Sequence, residues 1–154
     1  MDKKNQKTFY RNGLQFECLK CGKCCTGEPG YVWLSSGDIT AISIFLGIEK
    51  ALFLKEYTRT LQFFGEMRFS LIEKSDNSCI FWDRVCTIYP ARPYQCMSFP
   101  FWQRNLISKR EWDKNASRCP GINRGRIFSE KEINTLLDNT PDYNIERMGL
   151  LSYG

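Results

Sequence analysis

The chain has 154 residues, is 42% hydrophobic and 14% aromatic, carries a formal net charge of +5, and contains eight cysteines and no histidine. Such a length and composition describe a globular chain with a real core and exclude a disordered one. No apolar run approaches the ~20 residues of a membrane-spanning helix, and the lack of imidazole excludes mixed Cys/His zinc fingers, Rieske-type clusters and blue-copper sites.

Residues 1–15 are polar and basic and read as a loose N-terminal tail that gains order near Phe9-Tyr10. A cysteine-cluster domain follows over 16–138, then a C-terminal extension over 139–154 with Ile145, Met148, Leu150 and Leu151 available for docking. Within the domain, Tyr31-Val32-Trp33-Leu34 reads as a short strand. Ser35 to Asp38 offers helix caps, and Ile39, Ile42 and Ile44-Phe45-Leu46 predict a helix ending at Gly47. A second helix is expected over 49–58, with Leu52, Phe53 and Tyr57 among its apolar positions. Met67 to Glu73 alternates as a strand does, with Cys79 to Asp83 as its expected return strand in a hairpin. Pro93 suits the first position of a short helix through Cys96. Gln103 to Arg118 is polar and basic and reads as a strand pair or a surface loop around Trp112. Ser129-Glu130-Lys131-Glu132 matches a capping box and starts a helix through about Leu137. The expected fold is α+β: a small single domain of short helices and a β-hairpin packed around a cysteine-rich metal site.

The chemistry is carried by Cys18-Leu19-Lys20-Cys21-Gly22-Lys23-Cys24-Cys25, followed by Cys79, Cys86, Cys96 and Cys119. A C-x2-C step puts two sulfurs on one tight turn, and Gly22 supplies the conformational freedom such a turn needs. Lys20 and Lys23 favour the thiolate, the form that binds metal. C-x2-C-x2-C is the spacing of ferredoxin-type iron–sulfur runs, whose remote cysteine is often followed by proline, as Cys119 is by Pro120. Adjacent side chains diverge, so Cys24 and Cys25 are expected to meet different metals or different irons of one cluster. A disulfide scaffold would require export, and the polar start of the chain runs into no signal-peptide core, so the expected compartment is the reducing cytoplasm. A thioredoxin-like role for the C-x2-C step would need a preceding strand of a βαβ unit, which the sequence does not offer.

The same residues carry a resemblance. Cys18-x2-Cys21-x2-Cys24-Cys25, then Cys79, then Cys86-Thr87-Ile88-Tyr89-Pro90-Ala91-Arg92-Pro93-x2-Cys96-x2-Phe99-Pro100, then Cys119-Pro120-Gly121, resembles the YkgJ-type cysteine-cluster family of zinc- or iron-chelating domains. It covers about residues 16–125. A similar cluster occurs in the flagellin lysine methylases, where the resemblance implies an iron–sulfur cluster inside a larger enzyme. The resemblance makes all eight cysteines candidate metal ligands and makes Arg92 and Tyr89 candidate cofactor-site residues. Arg92 can donate several hydrogen bonds to thiolates or sulfides, against the alternative of a surface ion pair with Asp83 or Glu111. For Tyr89 the alternative is packing.

These readings point to a protein that holds an iron–sulfur cluster, with 4Fe-4S preferred, or zinc, in electron transfer, redox sensing or metal handling. The single close-spaced cysteine group tips the balance to iron–sulfur, because four-thiolate zinc sites bring C-x2-C pairs two at a time. For one site, the preferred ligands are Cys18, Cys21 and one of Cys24 or Cys25, with a partner among Cys86, Cys96 and Cys119. An enzyme or accessory unit related to lysine methylation is an alternative, although no Gly-rich nucleotide loop follows a strand. A zinc-stabilised interaction module is another. The expected partner is an unidentified protein or redox partner. The basic residues between Cys79 and Arg126 are scattered among loops without a binding motif, which argues against nucleic acid.

Overall fold

The computed structural model describes residues 7–149. In chain order these form β1 (Leu14–Phe16), β2 (Trp33–Leu34), α1 (Ser36–Leu46), α2 (Lys50–Tyr57), β3 (Thr58–Phe63), β4 (Glu66–Leu71), α3 (Tyr94–Ser98), α4 (Lys109–Ala116), β5 (Ile122–Phe128) and α5 (Glu130–Asp138). Short 3-10 turns lie at Tyr89–Ala91, Gln103–Asn105 and Ile145–Met148. The architecture is α+β, with two small antiparallel sheets, β1-β5 and β2-β4-β3. Among the described residues no helix is long and apolar enough to cross a membrane.

Two compact units are present. Among the described residues, one comprises those up to Leu19 together with Ser98–Asn139; the other comprises Lys20–Met97 together with those from Thr140. In the first unit β1 pairs with β5, and Tyr10, Phe101, Trp112, Ile122 and Ile133 close a core over them. In the second, Leu34, Ile39, Ile42, Phe53, Leu71, Phe81 and Ile88 form the core. Burying each such side chain contributes about 1.5–3 kcal/mol.

Local chemistry explains the helix ends. Ser35 Oγ accepts from the Asp38 N–H while Asp38 accepts from the Ser35 N–H, a reciprocal cap, and Gly47 closes α1 at φ 68°. The same reciprocal cap, Ser129 with Glu132, starts α5. Ile39 and Ile42 face the core of their unit, whereas Ile44 is 75% exposed.

Two expectations are corrected. The partners of β4 are β3 and β2, not Cys79 to Asp83. Phe63 faces Glu66 across a two-residue turn in which Phe64 and Gly65 both have positive φ, so a tight hairpin forms here. The Cys79 stretch keeps only isolated bridges, Glu73 with Cys79 and Trp82 with Cys86. Residues 103–118 hold a helix rather than a strand pair or loop: Ser108 caps α4, and Trp112 is buried while its indole N–H donates to Asn123 Oδ1 at 3.0 Å. The polar run Asn123-Arg124-Gly125-Arg126 lies in β5, whose partner β1 is remote in sequence. At the N-terminus, Tyr10 is buried and its hydroxyl donates to Asn134 at 3.0 Å. Leu150 and Leu151, expected to dock, lie outside the described residues.

Phe53→Ala removes a fully buried ring and is expected to cost about 3–5 kcal/mol in chemical denaturation. Phe64→Ala, at a ring 91% exposed, is expected to change stability by under about 0.5 kcal/mol.

Candidate metal centre

The cysteines divide between the units. Cys18 and Cys119 belong to the first. There Glu17 N–H donates to Gly121 C=O at 3.1 Å, extending the β1-β5 pairing so that both cysteines come to one end of that sheet. Gly121 is required at this contact, because a Cβ on it would lie 1.8 Å from the Glu17 carbonyl oxygen.

Cys21, Cys24, Cys25, Cys79, Cys86 and Cys96 belong to the second unit. Cys21 and Cys24 are exposed; Cys25, Cys79, Cys86 and Cys96 are half-buried. The loop that presents the first three turns at Gly22, where φ is 78° and Cys25 N–H donates back to Gly22 C=O at 2.9 Å. Trp82 packs on this turn: a Cβ at position 22 would sit 2.1 Å from its ring. The loop is tied to the next cysteine segment by Cys79 N–H, which donates to Cys25 C=O at 2.7 Å.

Cys79 and Cys86 are set in the same local geometry. Trp82 N–H donates to Cys79 C=O at 2.9 Å and Tyr89 N–H to Cys86 C=O at 3.2 Å, so each cysteine opens a tight turn. Inside each turn the backbone N–H two residues on points at the cysteine sulfur, Phe81 at Cys79 and Ile88 at Cys86. Such N–H groups orient a thiolate and stabilise its charge.

Cys96 rides on α3, and two polar side chains hold that helix. Asp38 Oδ1 accepts from Tyr94 N–H at 3.0 Å. Gln95 accepts from Trp33 N–H at 2.9 Å and donates to Tyr31 C=O at 3.1 Å. One carboxylate thus caps α1 and anchors the cysteine helix.

The thiols feel one another. Burial pushes the Cys96 thiol up, and the charges of Cys79, Cys24, Cys86 and Asp38 push it further. Cys79 is raised by burial, against the Phe81 N–H, then by Cys86 and Cys24. Cys86 is raised by burial, against the Ile88 N–H and Arg92, and by Cys24. Every pair among Cys24, Cys79, Cys86 and Cys96 therefore interacts. The Cys24 and Cys25 sulfurs are 3.9 Å apart. Their mutual hydrogen bond is the main reason Cys24 falls to about 7, with Arg92 helping, and the main reason Cys25 rises. Among the described residues no three Cys, Asp or Glu side chains stand together as a ready-made ion cage.

Arg92 donates from Nη1 to Tyr89 C=O at 2.9 Å and lies 4.1 Å from the centre of the Tyr89 ring; Lys20 Nζ lies 4.5 Å from the same centre. Asp83 instead pairs with Arg84, and Glu111 with Lys114. Tyr89 is therefore a platform for two cations beside the thiols, one of which acts on Cys24 and Cys86. The positioning roles of Asp38, Gln95 and Trp82 carry no signal in the sequence beyond Asp38 as a cap. The Phe81 and Ile88 donors are main-chain groups, visible only once the turns have formed.

Gly22→Ala is expected to force Trp82 off the loop and to lower both the thermal midpoint and the bound-metal stoichiometry, measured by calorimetry and elemental analysis.

The chain is 31% identical over 104 residues to an uncharacterized protein, MJ0661, of Methanocaldococcus jannaschii; the alignment covers 65% of this chain and 52% of that protein. The chain thus spans about half the length of this curated relative. No solved structure matches it. The CxxCxxCC family, described as a "putative zinc- or iron-chelating domain", matches residues 17–120, an interval that contains all eight cysteines. With its thiols gathered as described, the chain belongs to the CxxCxxCC family of zinc- or iron-chelating domains.

Proposed function

We propose that this chain is a metal-binding protein whose centre is the thiol set Cys24, Cys79, Cys86 and Cys96, holding an iron–sulfur cluster of the 4Fe-4S type. The observation that carries the reading is the mutual interaction of these four thiols, two of them on identical turns with N–H groups aimed at sulfur. The donor set fits, since thiolate sulfur is what clusters and four-thiolate zinc both require. The four come from four separated segments, with no C-x2-C pair among them, which favours a cluster, each of whose irons takes one thiolate, over a single ion gripped by paired knuckles. A bound cluster supplies one-electron chemistry. The protein's own part is to orient the sulfurs through the Phe81 and Ile88 N–H groups, to place Arg92 where its charge offsets thiolate charge, and to exclude water around Cys96.

This set revises the ligand group preferred from the sequence. Cys24 stays; Cys79 joins it; Cys86 and Cys96 both serve. Cys18 and Cys119, at the end of their own sheet, and Cys21 are left outside the set. The role is electron transfer or redox sensing, in a cytoplasmic setting, with a protein redox partner.

Iron, zinc and acid-labile sulfide analysis on protein purified without oxygen tests the reading, together with the visible spectrum and its bleaching by dithionite. Iron and sulfide with a bleachable brown colour support it; stoichiometric zinc in a colourless sample overturns the cluster and leaves a structural or metal-handling tetrathiolate. Cys96→Ser and Cys24→Ser are each expected to lose most of the bound metal, by about 10-fold or more in affinity. Arg92→Ala is expected to retain the metal and shift the reduction potential of the loaded protein.

A further inference from the structure

A cavity of about 100 Å³ opens against the thiols and is lined by Cys24, Cys25, Cys79, Glu28, Glu73 and Asn77, among other residues. At ~30 Å³ of liquid volume per water, it has room for about three water molecules. Its wall combines soft sulfur with carboxylate side chains. Glu73 is held in place by accepting from Gly30 N–H at 2.7 Å, and its backbone bridges to Cys79.

The spacing of the two adjacent thiols is the second observation. In a tetrahedral thiolate site with metal–sulfur bonds of about 2.3 Å, neighbouring sulfurs stand about 3.8 Å apart. Cys24 and Cys25 Sγ are 3.9 Å apart, so the expected divergence of adjacent side chains does not occur. That separation, held here by a thiol–thiol hydrogen bond, matches the length of one edge of such a tetrahedron, and both residues line the cavity. Cys25 is a fifth thiol, which also feels Cys24, Cys96 and Cys79; the proposed centre leaves it outside the set of four.

We propose that this cavity is a loading port, in which a thiophilic divalent cation is captured between Cys24 and Cys25 before it reaches the four-thiol centre. Capture is a ligand exchange: each thiol proton leaves to water as a sulfur–metal bond forms and a coordinated water departs. Transfer then exchanges the Cys25 bond and the remaining coordinated waters for bonds to Cys79, Cys86 and Cys96, whose thiol protons leave to water while Cys25 regains one, with Cys24 holding the cation throughout. Glu28 and Glu73 raise the local cation concentration at the wall. Cys25 is thus a delivery ligand rather than a resident one. The inference rests on the four-thiol set of the centre; the captured cation is then the iron(II) that enters a cluster built on that set, for which cobalt(II) stands in as a probe of thiol capture.

The test uses cobalt(II) as the probe on the full chain, made metal-free under reducing conditions, with loading followed in time by thiolate-to-cobalt absorption. Cys25→Ser is expected to reach the same cobalt stoichiometry and final spectrum as the parent protein but to load at least about tenfold more slowly, having lost the local capture site. The main-chain ties of this residue, its N–H to Gly22 C=O and its C=O accepting from Cys79 N–H, are spared by the substitution, which removes only the thiol contact with Cys24; Cys25→Ala repeats the measurement without a side-chain oxygen. A fall in stoichiometry or a changed final spectrum would make Cys25 a resident ligand and overturn the port, as would loading at the parent rate. Cys96→Ser in the same assay separates the two ideas: full four-thiolate loading of that variant sinks the centre itself, whatever Cys25 does.

Discussion

Cys96 sits where burial and the charges of Cys79, Cys24, Cys86 and Asp38 all oppose its ionisation. Thiols raised by burial and by one another do not ionise together unless something positive joins them, because a desolvated charge is costly and like charges add to that. In the proposed centre the bound group supplies the compensation, and its binding free energy becomes folding free energy. Without it Cys79, Cys86 and Cys96 are pushed towards the protonated form, and the four segments are held by their own hydrogen bonds and core contacts.

Those hydrogen bonds are arranged around this constraint. The Gly22 turn, sealed by Trp82, presents Cys24 and Cys25. The Cys79 N–H reaches back to Cys25, and the two cysteine turns follow with their donors aimed at sulfur. Asp38 and Gln95 fix the helix of Cys96 to α1 and β2. The core of this unit, with Phe53, Phe81 and Ile88 at its centre, lies directly behind the cysteine turns in sequence, since Phe81 and Ile88 are themselves the residues whose N–H groups face Cys79 and Cys86. Packing the core and orienting the sulfurs are one event. The C-terminal segment is tied to the same unit by Arg147, which reaches Glu66 at 2.9 Å and also pairs with Asp142.

Much of the scaffold was legible where a local rule operates. Ser35 with Asp38 and Ser129 with Glu132 announce helix starts through reciprocal capping, and Gly47 announces a stop, because these depend on residues within one turn. The β3-β4 hairpin was missed although Gly65 marked its turn, since Phe64 in a left-handed conformation is rare and disguises a two-residue loop. The helix around Trp112 was missed because its sequence is almost wholly polar and a single buried indole leaves little periodicity to read.

The sequence by itself determined the family and the donor chemistry: eight thiols, no imidazole, cations beside them, and glycine where a turn must be tight. It could not determine which thiols share an environment. Spacing along the chain ranks Cys18 and Cys21 with Cys24, yet the fold sets Cys24 among Cys79, Cys86 and Cys96 and places Cys18 with Cys119 at the end of another sheet. Charge interaction falls with distance in space and is indifferent to distance in sequence, so only the tertiary structure could decide it.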